Sequence, residues 1–232
     1  MKETRVPTHI AGFDSLIKGG FKQKSINLII GGAGTGKTIF AVQFLVNGII
    51  NNGETAVYIT FEERKEKLYS DVLGFGWDLA KYEKQGKFIF LQYNPEQVKK
   101  VLIEGGGTIE NIISRSKAKR LVIDSITSFS LLYKDELTRK EAALSLFELI
   151  NSWGCTAVLT AQQMTVSEEI FSTTLEFEVD SLIRLYTPKK KGIRKRAFEI
   201  LKMRGTSHPL KTMEMSITDK GIRCDPNKIV DF

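Results

Sequence analysis

Gly31-Gly32-Ala33-Gly34-Thr35-Gly36-Lys37-Thr38 matches the phosphate-loop pattern G-x-x-x-x-G-K-[ST] at Gly31, Gly36, Lys37 and Thr38. Backbone amides that turn inward around phosphates need curvature without a Cβ in the way, and glycine supplies it. A lysine in this position places positive charge on the β- and γ-phosphates, and the threonine hydroxyl is a hard oxygen ligand for Mg²⁺. The flanks provide the context the loop requires. Ser25 to Ile30 reads as a buried strand running into it, and Ile39 to Ile50 carries apolar residues at helical spacing, so phosphates would meet a helix N-terminus. A glycine-rich turn that matches by chance would leave that strand and helix unexplained. The stretch implies a nucleoside triphosphate.

Working outward, Asn51-Asn52-Gly53-Glu54 gives a turn and Thr55 to Thr60 a second buried strand. A helix is expected from about Arg64 and a short one from Leu79 with Asp78 as its cap. Lys87 to Gln92 reads as a third strand. Pro95 to Ser116 is helical in pattern, split by Gly105-Gly106-Gly107. Arg120 to Asp124 is a fourth strand, Thr138 to Trp153 an amphipathic helix and Cys155 to Thr160 a fifth strand. Strands alternating with helices predict an α/β fold, a mostly parallel central sheet flanked by helices. Beyond residue 175, strands at Asp180 to Tyr186, Ala197 to Lys202 and Met213 to Ile217 follow one another, so the sheet is expected to be extended by C-terminal antiparallel hairpins.

The 232 residues suit one domain spanning 1–232, and 42% hydrophobic with 26% charged residues belongs to a globular rather than a disordered or bilayer-embedded chain. No apolar run approaches the ~20 residues needed to span a membrane, and the first residues lack the apolar core of a signal peptide, so a cytoplasmic protein is expected. Two cysteines, Cys155 and Cys224, have neither metal spacing nor disulfide density and read as inert thiols. The net charge of +7 could serve a polyanion, but much of it is crowded into Lys189, Lys190, Lys191, Arg194, Lys195 and Arg196 around Gly192, the pattern of a solvated hairpin tip.

A bound triphosphate needs a metal partner and a group that orients or deprotonates water. Asp124 closes an apolar strand and is the candidate for Mg²⁺; the same residue could instead cap the helix that begins near Ser125. Glu62 and Glu63 follow the second strand directly, at the sheet edge where ligands gather in open α/β folds; they could accept a proton from water or simply be helix-start acids favoured by the macrodipole. Gln162 and Gln163 are similarly placed, as γ-phosphate sensors or partners of loop backbone. The cluster Lys202-Met203-Arg204-Gly205-Thr206-Ser207-His208 suits an anion. It could act in trans on the next subunit's γ-phosphate, or be only a polar turn.

These pieces together resemble the KaiC-like branch of the RecA superfamily of ATPases. The resemblance runs from Thr8 to Gly20, through the phosphate loop, Phe61-Glu62-Glu63, Phe75 to Leu79 and Leu121 to Ser125, to Lys202–His208 and Ile217 to Ile222. It implies a RecA-like phosphate-loop fold, ATP and Mg²⁺ as ligands, and ATP hydrolysis at the interfaces of a homo-oligomer, with a hexamer favoured, in a regulatory or signalling role. In that reading ATP is bound by Gly31, Gly32, Ala33, Gly34, Thr35, Gly36, Lys37, Thr38 and Ile39. Glu62, Glu63 and Lys37 are catalytic, and Thr38 and Asp124 serve the metal. Lys202, Met203, Arg204, Thr206 and His208 approach ATP held by the neighbouring subunit. Members with two such domains in tandem carry adjacent Ser and Thr autophosphorylation sites. Here those fall near Glu176 and Phe177, which accept no phosphate, with Ser172, Thr173 and Thr174 close by; autokinase activity and a circadian role do not carry over. The remaining partner is an unknown protein. A recombinase-like DNA-binding ATPase is the alternative, disfavoured because Met164 to Glu178 holds four glutamates and no Lys or Arg. A nucleotide-gated scaffold with little hydrolysis is another.

Overall fold

A computed structural model describes residues 4–105, 107–130, 132–133, 135–162 and 177–230. Two short strands come first, β1 (Arg5–Val6) and β2 (Phe21–Lys22), then β3 (Ile26–Gly31) leads into α1 (Lys37–Asn52). The alternation continues through β4 (Ala56–Thr60), α2 (Lys65–Leu73), α3 (Leu79–Lys84), β5 (Phe88–Gln92), α4 (Pro95–Ile103) and α5 (Gly107–Ser116). After these come β6 (Arg120–Asp124), α6 (Ile126–Ser130), α7 (Glu136–Ser152) and β7 (Thr156–Gln162). The C-terminal part is all strand: β8 (Ser181–Tyr186), β9 (Lys189–Lys190), β10 (Ile193–Arg194), β11 (Arg196–Met203), β12 (Met213–Thr218) and β13 (Gly221–Ile229). Among the described residues nine strands form one sheet, in the order β13-β12-β11-β8-β3-β7-β6-β4-β5.

Period-two alternation divides the strand residues between two cores. Leu28 and Ile30 of β3, Val57 and Ile59 of β4, and Leu121 and Ile123 of β6 face one cluster, with α5 and α7 supplying Ile109, Ile113, Leu146 and Phe147. Ile29, Tyr58 and Val122 face the other, against Phe40, Phe44 and Leu45 of α1 and Phe13, Phe21 and Phe198. Both faces are covered, which is why these strands read as nearly continuous apolar runs. The Gly105 to Gly107 break falls between α4 and α5 as expected, and Asp78 caps α3 by accepting the Lys81 amide at 2.9 Å. The basic run forms a hairpin, with Ile193 opposite Lys190 and left-handed Lys191 and Gly192 at its turn. Both cysteines are buried, and burial pushes the Cys155 thiol up to about 11, consistent with inert thiols.

The C-terminal antiparallel extension is present as expected: β8, which on its other side pairs parallel to β3, pairs antiparallel with β11, and β12 and β13 continue in the same sense. The separation of β7 from β8 exceeds the dozen residues that a parallel crossover requires, whereas β8, β11, β12 and β13 are joined by shorter connections. β13 was not anticipated. It is an edge strand carrying Pro226 and alternating charge around buried Ile222 and Cys224, a composition that blunts an edge while hiding its periodicity.

One fully buried charge locks α1 to the sheet. Arg120, at the start of β6, donates Nε to Glu54 at 2.5 Å and Nη1 to the Phe44 carbonyl at 2.8 Å, with its guanidinium 4.6 Å from the Phe44 ring centre. Burial lowers its pKa, opposed by Glu54. The helix admits it at Gly48, where a Cβ would lie 2.1 Å from Arg120 Nε. Gly48→Ala in an isolated helix would gain about 1 kcal/mol. Here the steric conflict reverses the sign, with an expected loss of about 3 kcal/mol, read by urea unfolding.

Candidate functional site

The carboxyl ends of the parallel strands bring the predicted residues together. β3 ends at Gly31, whose position excludes a side chain because a Cβ would meet the Leu185 carbonyl oxygen at 2.6 Å. The loop then turns into α1 through Gly36, whose φ of 104° favours glycine. No side chain caps α1, so its first-turn amides remain directed into the loop, the arrangement that receives an anion. Thr35 donates to the Gly32 carbonyl at 2.9 Å and is buried. The half-buried Lys37 ammonium donates to the Gly31 and Gly32 carbonyls, both at 2.9 Å. Burial lowers its pKa, against the upward pull of Asp124.

Asp124 gathers three hydroxyls. Its Oδ2 accepts from Thr38 Oγ1 at 2.7 Å and from Tyr58 at 2.9 Å, and its Oδ1 accepts from Thr160. These donors come from α1, β4 and β7, the elements around the end of β6. Burial first, then the charge and hydrogen bond of Asp124 and the charge of Glu63, raise the Tyr58 hydroxyl well above its usual range, so it stays a donor. Thr38 and Asp124 offer the hard oxygens that Mg²⁺ prefers. Among the described residues no three His, Cys, Asp or Glu side chains group as a metal site, so a cation here would take further oxygens from water or phosphate.

Glu62 and Glu63 lie just past β4, before Arg64 caps α2. The first-turn acid of α2 is Glu66, and Glu62 and Glu63 stand ahead of its N-cap position. The Thr60 hydroxyl accepts both of their amides, at 3.3 and 3.0 Å, and Ser128 of α6 donates to Glu62. Lys67 sits 3.2 Å from Glu63. A cavity of about 180 Å³ is lined by Ala33, Lys37, Thr38, Glu62, Glu63, Asp124, Ser125 and Gln162. The Gln162 amide is held by Thr127 Oγ1 at 2.8 Å, leaving its side chain toward that cavity. Gln163, Ser172, Thr173, Thr174 and Glu176 lie outside the described residues. A second cavity, about 420 Å³, runs from Ala33 and Gly34 to Thr187, Arg194, Lys195 and Arg196 at the root of the basic hairpin.

Lys202, Met203, Arg204, Thr206 and His208 are not brought to the phosphate loop of their own chain. Gly31 stands opposite Leu185 and Leu185 opposite Phe198, whereas Asn27 pairs with Ser181 and Ser181 with Met203. The cluster is therefore at the amino edge of the sheet, about 13 Å along the strands and about 10 Å across from Gly31. Lys202 Nζ and Arg204 Nη2 both donate to the Phe177 carbonyl, at 2.9 and 2.5 Å. Met203 is buried in the core, so its side chain is not available to a ligand. Thr206 is buried and accepts from Arg5, and His208 Nδ1 is 3.3 Å from the Pro209 carbonyl.

Tyr58, Thr60, Ser128 and Thr160 were missed at the level of sequence. Alternation puts Tyr58 with Thr60, and Thr160 with Val158, on definite faces, but only the strand order shows that those faces meet at Asp124.

Known proteins resemble the chain along nearly its whole length. Residues 6–229 match the family model described as "ATPase: KaiC". A UPF0273 protein of Methanocaldococcus jannaschii is 34% identical over 97% of this chain and 98% of its own length. The circadian clock oscillator protein KaiC of Synechococcus elongatus is 34% identical over 96% of this chain, a match that covers 44% of that longer protein. The crystal structure of a KaiC-like protein from Pyrococcus horikoshii is 37% identical, with a TM-score of 0.86 over 97% of this chain and 100% of that one.

Tyr58→Phe keeps the ring 5.8 Å from Phe90 and removes one donor from Asp124. The expected cost is about 1 kcal/mol in urea unfolding, since two hydroxyls remain on the carboxylate.

Proposed function

The chain belongs to the KaiC family of RecA-superfamily ATPases, and on that premise we propose that it hydrolyses Mg²⁺-bound ATP at the interfaces of a homo-oligomeric ring, a hexamer by preference. Turnover would change the ring's shape for a protein partner in a regulatory or signalling role. The single-domain reading of residues 1–232 and a cytoplasmic location belong to the same proposal; among the described residues no helix is long and apolar enough to cross a membrane. The observation that carries the reading is the 180 Å³ cavity in which Lys37, Thr38, Glu62, Glu63 and Asp124 meet, while the cationic cluster Lys202–His208 stands at the opposite sheet edge.

The chemistry follows from those positions. The α1 amides and the loop backbone bind the β- and γ-phosphates, and Lys37 exchanges two carbonyl acceptors for charged phosphate oxygens, a stronger hydrogen bond. Thr38 and Asp124 would hold Mg²⁺, which supplies neutralisation of charge on the phosphates. Glu62 or Glu63 orients a water and takes its proton as the water oxygen bonds to the γ-phosphorus and the bond to the leaving ADP oxygen breaks. Lys202 and Arg204 would stabilise the γ-phosphate of the adjacent subunit, since their own lies beyond reach.

Glu62→Gln with Glu63→Gln should retain ATP binding and lose about a hundredfold or more in turnover, measured as phosphate release. Undiminished release would refute the assigned role. Little hydrolysis by the parent protein would favour the nucleotide-gated scaffold, and stimulation by single-stranded DNA that vanishes steeply with salt would favour the recombinase-like alternative. Arg204→Ala should lower turnover about a hundredfold, and a mixed assembly with the Glu62→Gln/Glu63→Gln chain should recover part of it only if sites are shared.

A further inference from the structure

The loop that carries Arg204 is held from the other end of the chain. β1 and β2 pair with Arg5 opposite Lys22 and Val6 opposite Phe21. From this ladder the Arg5 guanidinium donates Nη2 to Thr206 Oγ1 at 2.9 Å and Nη1 to the Gly20 carbonyl at 3.4 Å. Lys22 lies against the same loop, where a Cβ on Gly205 would be 2.5 Å from its Nζ. The backbone is pinned on the far side as well: the Arg204 amide donates to the Asp180 carbonyl at 2.8 Å and the Thr206 amide to the Met203 carbonyl at 3.2 Å. Arg204 itself is exposed, with its Nη2 on the Phe177 carbonyl, so a solvent-facing side chain leaves from a fixed base.

We infer that Arg5 is a positioning residue for the trans cluster, holding Thr206 so that Lys202 and Arg204 meet the neighbouring subunit's γ-phosphate in a set geometry. This rests on the reading that the cluster acts in trans. The planar fork of arginine suits the task because it joins two acceptors on separate segments at once, which a lysine ammonium does less directionally. Fixing the base before the phosphate arrives removes ordering entropy from the catalytic step. The Thr206 hydroxyl thus serves the loop of its own chain.

The bond is tested from both ends, with Arg5→Met and with Thr206→Val, the second keeping side-chain shape so that a folding defect in the first does not decide the outcome. Each homomeric variant should lose about tenfold in kcat with KM for ATP within about twofold, and the double variant should fall no further than the worse single one. Each variant is then co-expressed with the Glu62→Gln/Glu63→Gln chain under a second affinity tag, and mixed assemblies are isolated by successive tags. The partner chain has an intact Arg5 and Arg204 but no turnover of its own. Severalfold recovery per variant subunit, as for Arg204→Ala treated identically, supports the proposal; a role in folding its own subunit would not be restored from a neighbour. Parent-level kcat in both homomeric variants overturns it, as does recovery with Arg204→Ala but not with Arg5→Met or Thr206→Val. Failure of Arg204→Ala to recover, or of the two tags to co-purify, removes the trans reading and the proposal with it, and the Arg204→Ala arm distinguishes that case.

Discussion

The Asp124 carboxylate ties the nucleotide edge of the molecule together. It sits at the end of β6 and accepts from Thr38 of α1, Tyr58 of β4 and Thr160 of β7, so one half-buried charge links the phosphate-loop helix to three adjacent strands. A carboxylate in that position is costly unless its oxygens are hydrogen-bonded, and three hydroxyls supply those bonds without cancelling its charge. The result is an anion held beside Lys37 and Thr38 at the cavity they share. Moving any of the four elements would leave a buried polar group unpaired, and the sheet order and the chemistry of the site are therefore constrained by the same set of contacts.

The opposite edge of the sheet has a different logic. β11 runs antiparallel to β8, so a strand that begins beside the phosphate loop ends at the far edge, carrying Lys202 and Arg204 away from the nucleotide of their own chain. Antiparallel addition to a parallel sheet thus gives the subunit two distinct edges, one that carries the phosphate-loop sequence and one that presents cations. The second edge is steadied by the N-terminal ladder through Arg5 and Lys22. Between the two faces, Arg120 fixes α1 against β6, and Gly48 leaves the space it occupies.

Much of this was readable in sequence because it depends on short-range pattern. The phosphate loop, the run into it from β3, the Asp78 cap and the glycine break before α5 all follow from residue types at local spacing. The antiparallel pairing of β8 with β11 was legible, but its parallel pairing with β3 was not, because direction is not encoded in the composition of a buried strand; the length of the connection before it was the available signal. β13 was overlooked because Pro226 and its charges conceal the alternation of an edge strand. Met203 was grouped with its polar neighbours as a ligand residue, yet strand alternation turns it into the core between Lys202 and Arg204.

By itself the sequence determined that the chain carries a triphosphate loop on an α/β alternation, with acids placed after two of its strands, since backbone curvature, helix period and strand period act over a few residues. Only the tertiary structure decided which strands lie side by side, that Tyr58 and Thr160 meet Asp124, that Ser128 reaches Glu62, and that Arg5 holds Thr206 from 201 residues away. Those pairings come from covering both faces of one sheet while leaving no buried polar group alone, a condition imposed on the whole chain at once rather than on any segment of it.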